Sequence, residues 1–131
     1  DYAVTGVQTC ALPISDQGIQ HAVFGYRDRN ISGVLENIVY NELVMRGYQV
    51  SIGKMQDMEI DFIAEKQGEK IYVQVAYQMN TDKTISREFS PLRIVRDHYP
   101  KYVVSMDEHF KDNVEGIKHI FLGDFLLLES Y

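Results

Sequence analysis

One helix followed directly by three strands is the pattern that most constrains the fold of this 131-residue chain. Apolar residues recur at helical spacing over residues 33–46, with Ser32 as an N-cap before them and Gly47 as a stop after them. Three segments that alternate like strands follow, at residues 48–52, 58–65 and 70–77. Because Gln67 and Gly68 form a turn between the two longer segments, these two are predicted to pair as a β-hairpin.

The rest of the chain continues as an alternation of helix and strand. A polar run at residues 26–30 is predicted to separate the first helix from what precedes it. A second helix is predicted from Asp82 or Thr84 to Asp97, and Pro91 is a point where it would kink or restart. Two strands and a short final helix follow, at residues 101–106, 117–122 and 124–128. The predicted order, α-β-β-β-α-β-β-α, is typical of an α/β domain with a central mixed sheet flanked by helices.

Length and composition favour one domain in an aqueous compartment. The chain is 45% hydrophobic and 24% charged, which is ordinary for a globular protein. No apolar run approaches the roughly 20 residues that cross a bilayer, so we expect a soluble, cytoplasmic protein with no membrane partner. The formal net charge of −6 makes it a poor stand-alone binder of nucleic acid, because such binding depends on Lys and Arg at phosphates.

The first residues look foreign to the domain. Residues 4–14 resemble the translation of a sequencing adapter, and the chain does not begin with Met. We therefore treat residues 1–15 as a non-native segment and residues 16–131 as a domain from a longer protein. On this interpretation the single cysteine, Cys10, is not native; the alternative is an ordinary N-terminal strand at residues 3–5.

Glu36 is an acid on an apolar helix face. On a helical wheel Val39, Tyr40 and Leu43 lie within about 60° of it. A carboxylate in such a place is rarely left without a partner. Glu36 is therefore predicted either to bond a neighbouring strand or to belong to a site.

A second acid, Asp61, lies on the middle strand. Strict alternation would put Asp61 on one face with Glu59 and Ile63, and Ile60 and Phe62 on the other. On the next strand Gln74 shares a face with residues 72 and 76. If the hairpin register brings Asp61 beside Gln74, these two residues and Glu36 can meet at one point.

The residues that carry these features also carry a family resemblance. They are Leu35-Glu36-Asn37, Arg46-Gly47-Tyr48, Glu59-Ile60-Asp61-Phe62 and Gly116-Ile117-Lys118-His119-Ile120. Over nearly all of residues 16–128 the chain resembles the C-terminal domain of unknown function that follows the ATPase core in a family of prokaryotic AAA-type ATP-binding proteins. That family is similar in fold to the PD-(D/E)XK nucleases, so the resemblance implies a restriction-endonuclease-like core.

The resemblance also implies a degenerate active site. Glu36 matches the helix acid of the nucleases and Asp61 the second-strand acid, whereas Gln74 and Ala76 stand where the third strand has its acid and lysine. A glutamine is only a neutral oxygen donor, and Ala76 supplies no charge near an attacking water. Glu36, Asp61 and Gln74 are thus vestigial catalytic positions, and Glu36 and Asp61 would hold Mg²⁺ weakly at best.

Three other side chains could take over the missing roles. They are Glu65, Lys70 and Lys83, and no spacing argument favours one of them.

The implied function is that of an accessory domain whose first partner is the missing N-terminal ATPase core, and which engages a further protein or nucleic acid. ATP would bind only in the missing part, since the chain has no Gly-x-x-x-x-Gly-Lys-[Ser/Thr] motif. No enzymatic activity and no cofactor other than Mg²⁺ are expected in this fragment. Two alternatives remain open: a metal-dependent nuclease with a displaced site, and a structural docking module.

Overall fold

The structure, a computed structural model, describes residues 28–110 and 113–131. In that part of the chain it contains three helices and six strands. They are α1 (Asp28–Met45), β1 (Gln49–Met55), β2 (Met58–Lys66), β3 (Glu69–Val75), α2 (Asp82–Ile94), β4 (Lys101–Ser105), β5 (Asn113–Val114), β6 (Ile117–Phe121) and α3 (Leu122–Leu127). The interpretation of residues 1–15, with Cys10, concerns residues outside the described part.

The strands form one mixed sheet in the order β1-β2-β3-β4-β6-β5. The first three pair antiparallel, as hairpins, and β3, β4 and β6 pair parallel. The short strand β5 pairs antiparallel with β6 and forms the second edge of the sheet. The prediction of an α/β domain with a mixed sheet flanked by helices is confirmed, and β5 is the strand that it did not contain.

The sheet lies between two apolar cores. Under α1 and α3 the core includes Val39, Leu43 and Phe125, all fully buried. Under α2, on the opposite face, it includes Phe89 and Leu92, also fully buried. Burying such a side chain contributes about 1.5–3 kcal/mol. Several side chains of this kind hold α1 and α2 against the sheet. A residue at an end of the central strands can therefore meet side chains from α1 and from α2.

The start of α1 differs from the prediction. Residues 28–30, predicted as part of a polar break, are helical, and Ser32 lies inside the helix instead of capping it. The physical reason is that polar residues without Gly or Pro do not stop a helix.

The second helix begins as the sequence indicates and ends earlier. Thr81 is its N-cap, and its Oγ1 accepts a hydrogen bond from the Thr84 N–H at 3.1 Å. The helix continues through Pro91 and ends at Ile94, not at Asp97. Asp97 lies in the following loop, where its carboxylate accepts from Lys101 Nζ at 3.0 Å.

Strict alternation along β2 is wrong at Asp61. Ser51 of β1 pairs with Ile63 and Gly53 pairs with Ile60, so β2 carries one extra residue between them. As a result Ile60 packs under α2 whereas Phe62 packs under α1. The bulge places Asp61 at the point where the side chains of β2 change faces.

Gly53 makes this bulge possible, and its replacement should be costly. A Cβ at Gly53 would lie 2.7 Å from Ile63 Cδ1 and 3.1 Å from Ile60 Cβ. We expect Gly53→Ala to lower the free energy of unfolding by about 1–3 kcal/mol, the range for overpacking. Urea denaturation measures it, with Gly33→Ala as the control, because a Cβ at Gly33 meets nothing within 4 Å. Equal losses in both variants would contradict the close approach at Gly53.

Candidate functional site

The β2–β3 hairpin places Asp61 directly against Gln74. Its turn residues Gln67 and Gly68 both have positive φ, 52° and 81°, as a two-residue hairpin turn requires. The resulting register puts Asp61 one position beyond the Phe62–Val73 pair. The Asp61 N–H donates to Gln74 Oε1 at 2.6 Å, which confirms that the two residues are adjacent.

Glu36 and Asp61 line the same cleft. It has a volume of about 580 Å³ and is bordered by α1, by Asp61 of β2, by the end of β3 and the residues that follow it, and by α2. Gln74 does not line this cleft: it is 5% exposed and lies behind Asp61, beside a neighbouring cavity of about 380 Å³. The structure thus brings the two predicted acids together at one opening, with the amide in a buried supporting position.

A third carboxylate, from Glu88 of α2, lines both the cleft and the smaller cavity. Glu88 is 8% exposed, which is unusual for an acid. Its Oε2 accepts from Gln74 Nε2 at 3.4 Å, and its Oε1 accepts from Arg87 Nε at 3.1 Å. Gln74 therefore links Asp61 of β2 to Glu88 of α2 through the two ends of one amide.

Burial makes the three carboxylates weaker acids than usual. The pKa of Asp61 rises to about 7, chiefly through desolvation and then through repulsion by Glu36, against the lowering effect of the Val75 N–H. Desolvation also raises the pKa of Glu36, with Glu88 adding to it. The pKa of Glu88 is raised by burial although Arg87 opposes the shift. The cleft thus changes charge near neutral pH.

At the position where the nuclease resemblance predicts a lysine, the chain has Ala76 in apolar surroundings. Ala76 is 4% exposed and packs in the core beneath α2, although it also borders the cleft. The cation at the cleft is instead Arg87. Of the candidates for a displaced role, Glu65 and Lys70 face each other at 3.8 Å near the hairpin turn, and Lys83 is exposed on α2.

A divalent cation such as Mg²⁺ does not fit these carboxylates in their present arrangement. Asp61 Oδ2 accepts from the Val75 N–H at 2.8 Å, and both oxygens of Glu88 are hydrogen-bonded as described. In residues 28–110 and 113–131 no group of three His, Cys, Asp or Glu side chains lies close enough to hold a metal ion.

Sequence reasoning missed Glu88 and Arg87, although one signal was available for Glu88. Glu88 follows Ile85 by three residues and precedes Leu92 by four, so it lies on the apolar face of α2. That is the criterion that singled out Glu36 on α1. No comparable pattern marks Arg87, whose side chain is 69% exposed.

One comparison with known proteins gives a relative. A Haemophilus influenzae protein described as uncharacterized is 37% identical to this chain over 114 residues. The match covers 87% of this chain and 28% of that protein, so the chain spans little more than a quarter of the relative's length. No protein-family model matches the sequence, and no solved structure matches it.

Of the helices in residues 28–110 and 113–131, none combines the length and the apolar character that a membrane span needs.

Proposed function

We propose that this chain is an accessory domain of a longer ATP-binding protein, with a restriction-endonuclease-like core whose site no longer cleaves nucleic acid. The domain would engage a substrate or partner of the longer protein, and ATP would bind in a part of that protein outside this chain. The length of the Haemophilus influenzae relative, of which the match covers 28%, supports a multidomain parent. The helix acid Glu36 and the strand acid Asp61 on one cleft support the nuclease-like core.

The burial and the hydrogen bonds of Gln74 are the main support for this proposal. In an active site of the nuclease type the third-strand acid and a lysine two residues later face the metal and the water. Here the Gln74 amide is buried and bonds the Asp61 N–H at 2.6 Å and Glu88 at 3.4 Å. The glutamine therefore holds two structural elements together. Ala76 provides no cation, so the third strand contributes neither of the two groups that hydrolysis needs.

A displaced nuclease site is the second candidate, and Glu88 is the observation that favours it. Glu88 brings a third carboxylate to the cleft from α2, and Arg87 brings a cation next to it. Three carboxylates would give a Mg²⁺ site a ligand charge of −3 instead of the −2 of Glu36 and Asp61 alone, and hard cations favour anionic oxygens. This candidate requires the carboxylates to move closer together when a metal binds, because no three such side chains in residues 28–110 and 113–131 now lie close enough to hold one.

One cleavage experiment separates the two candidates. The purified chain is incubated with end-labelled single- and double-stranded DNA and RNA in Mn²⁺, beside a Glu36→Ala, Asp61→Ala double variant and a Glu88→Gln variant. We expect no cleavage above that of the double variant, since the third strand lacks its acid and its lysine. Cleavage by the parent that disappears in both variants would overturn the accessory-domain proposal and establish the displaced site.

A further inference from the structure

Two cavities of the domain meet at Asp61, Arg87 and Glu88. These three residues line both the cleft of about 580 Å³, which includes Glu36 of α1, and the smaller cavity of about 380 Å³, which extends to Asp57 at the turn between β1 and β2. Because they share these walls, the two cavities are neighbouring parts of one depression. We call this depression, with the residues that line either cavity, the acidic groove.

Carboxylates dominate the charge of the acidic groove. Among the described residues, its charged lining consists of five carboxylates and one guanidinium, namely Glu36, Asp57, Glu59, Asp61, Glu88 and Arg87. A concave surface with this excess of negative charge attracts cations and repels phosphates. The sign of the charge therefore favours a basic occupant over a nucleic acid.

The two acids in the cleft have no positive partner in the part of the chain that the structure describes. No Lys or Arg of that part forms an ion pair with Glu36 or Asp61. Burial raises the pKa of both carboxyls, and no positive side chain opposes either increase. Glu59 does meet Lys54, at 3.8 Å, but both of these side chains are mostly exposed, and such pairs contribute little. A positive group from outside would thus supply a charge that the groove lacks.

Arg87 shows which chemical group the wall between the two cavities accepts. Its Nε donates to Glu88 Oε1 at 3.1 Å, while 69% of its side chain is exposed. The guanidinium is therefore seated on a half-buried carboxylate but remains solvated on its other sides. Because an exposed ion pair of this kind is weak, the cation of another chain can replace Arg87 there.

We propose that the acidic groove binds an extended basic segment of a partner protein, with Lys or Arg side chains on both sides of the Arg87–Glu88 pair. This inference rests on the proposed function only in taking the cleft as the place where the domain engages a partner. The uncharged part of the lining suits a peptide, since it includes the amides of Gln78 and Asn80, which both donate and accept hydrogen bonds as peptide groups require. The two-part shape suits an extended chain better than a compact ligand.

Peptide binding to the purified chain tests the inference. Fluorescence anisotropy is measured at pH 8, above the pKa of about 7 of Asp61, with a labelled peptide in which arginine alternates with glycine and serine. The control peptide has citrulline, which is neutral and nearly isosteric, in place of every arginine. We expect saturable binding of the arginine peptide and at least about tenfold weaker binding of the citrulline peptide, because the charge complementarity is lost.

Variants of the chain locate the binding site. Glu36→Gln in the cleft, and Asp57→Asn with Glu59→Gln in the smaller cavity, should each weaken binding of the arginine peptide by at least about threefold. The matched control is Glu69→Gln with Glu129→Gln, which removes two charges at exposed positions outside the groove. It should change binding by less than about twofold, since exposed charges beyond a Debye length are largely screened.

Arg87→Gln distinguishes a basic segment from a nucleic acid by the direction of its effect. Removing this guanidinium frees Glu88 and makes the acidic groove more negative. We expect the arginine peptide to bind at least about twofold more tightly to this variant than to the parent. A nucleic acid would lose its one cationic contact in the groove and bind more weakly, so labelled single-stranded DNA is titrated in parallel.

Four results would overturn the inference. Equal binding of the two peptides would show that positive charge is not recognised, and losses no larger than that of the control variant would show attraction by net charge alone. A loss confined to one of the two cavities would show that they do not form one groove. Tighter binding of DNA than of the arginine peptide, weakened by Arg87→Gln, would identify a nucleic acid as the occupant. The proposed function is tested separately, because cleavage that depends on Glu36 and Asp61 would overturn it whatever the peptide does.

Discussion

Replacing Asp61 by asparagine should make the protein more stable at pH 8, by about 2–4 kcal/mol. A carboxyl whose pKa rises from 3.8 to about 7 on folding disfavours the folded state once it is ionised. Each tenfold weakening of an acid corresponds to about 1.4 kcal/mol, which sets the upper end of the range. Asparagine keeps an oxygen that can accept from the Val75 N–H, as Asp61 Oδ2 does at 2.8 Å. The substitution therefore removes the charge and preserves the hydrogen bond.

The effect should depend on pH in a defined direction. Between about pH 4 and pH 7 the unfolded chain has already lost the Asp61 proton while the folded chain retains it. The free energy of unfolding of the parent therefore falls as the pH rises through this window, and the contribution of Asp61 is constant above it. At pH 4 or below the parent and the variant should differ little. Urea denaturation at pH 4 and pH 8 measures both values.

A matched control separates this local effect from a general loss of charge. Glu69→Gln removes one negative charge at an exposed position near the β2–β3 turn, and it should change stability by less than about 0.5 kcal/mol at either pH. If Asp61→Asn were no more stable than the parent at pH 8, the carboxylate would have to be hydrated or paired in the folded state. The cleft would then not be the desolvated acidic site described above.

The loss of stability caused by ionised acids in the cleft indicates a functional role for them. Three weakened acids, Glu36, Asp61 and Glu88, remain close together although neutral residues would fold more readily there. Perturbed acids in a cleft are typical of functional sites. The cleft is therefore the surface that we propose for the substrate or partner of the domain.

Local sequence signals were sufficient for the hairpin and for two of the three acids. The turn at Gln67 and Gly68 and the period-two pattern on both sides determine the register that puts Asp61 beside Gln74. The helical period of α1 places Glu36 on the face that packs toward the sheet. These features depend on residues that are close in the sequence, so one sequence contains enough information to predict them.

The rest depends on contacts between distant segments. The bulge in β2 arises where Gly53 approaches Ile63, and no alternation of apolar residues along β2 alone reveals an inserted residue. Glu88 can be assigned to the site only once α2 is known to cross the sheet opposite α1. The two-residue strand β5 is too short to show a period at all. The bulge, the position of Glu88 and strand β5 are determined by tertiary packing, and local sequence propensity does not predict them.

Restoring the third-strand acid by Gln74→Glu should destabilise the protein by about 3–5 kcal/mol at pH 8, the range for an uncompensated buried charge. The Gln74 side chain is 5% exposed, and its Nε2 donates to Glu88 Oε2 at 3.4 Å. A glutamate there would replace that donor by a second negative oxygen and would lie beside Asp61 as well. Because protonation relieves the repulsion, the loss should be much smaller at pH 5.

The comparison with Gln74→Met isolates the charge. Methionine has a similar length and no charge, so it should cost about 1–3 kcal/mol through unmet hydrogen bonds, at pH 5 and pH 8 alike. Urea denaturation of both variants at both pH values gives the four numbers needed. A Gln74→Glu protein as stable as the parent at pH 8 would mean that the site accommodates a fourth carboxylate, as a metal site could. In that case the role of Gln74 as a structural link between β2 and α2 would be wrong, and Mn²⁺-dependent stabilisation of this variant would be the next measurement.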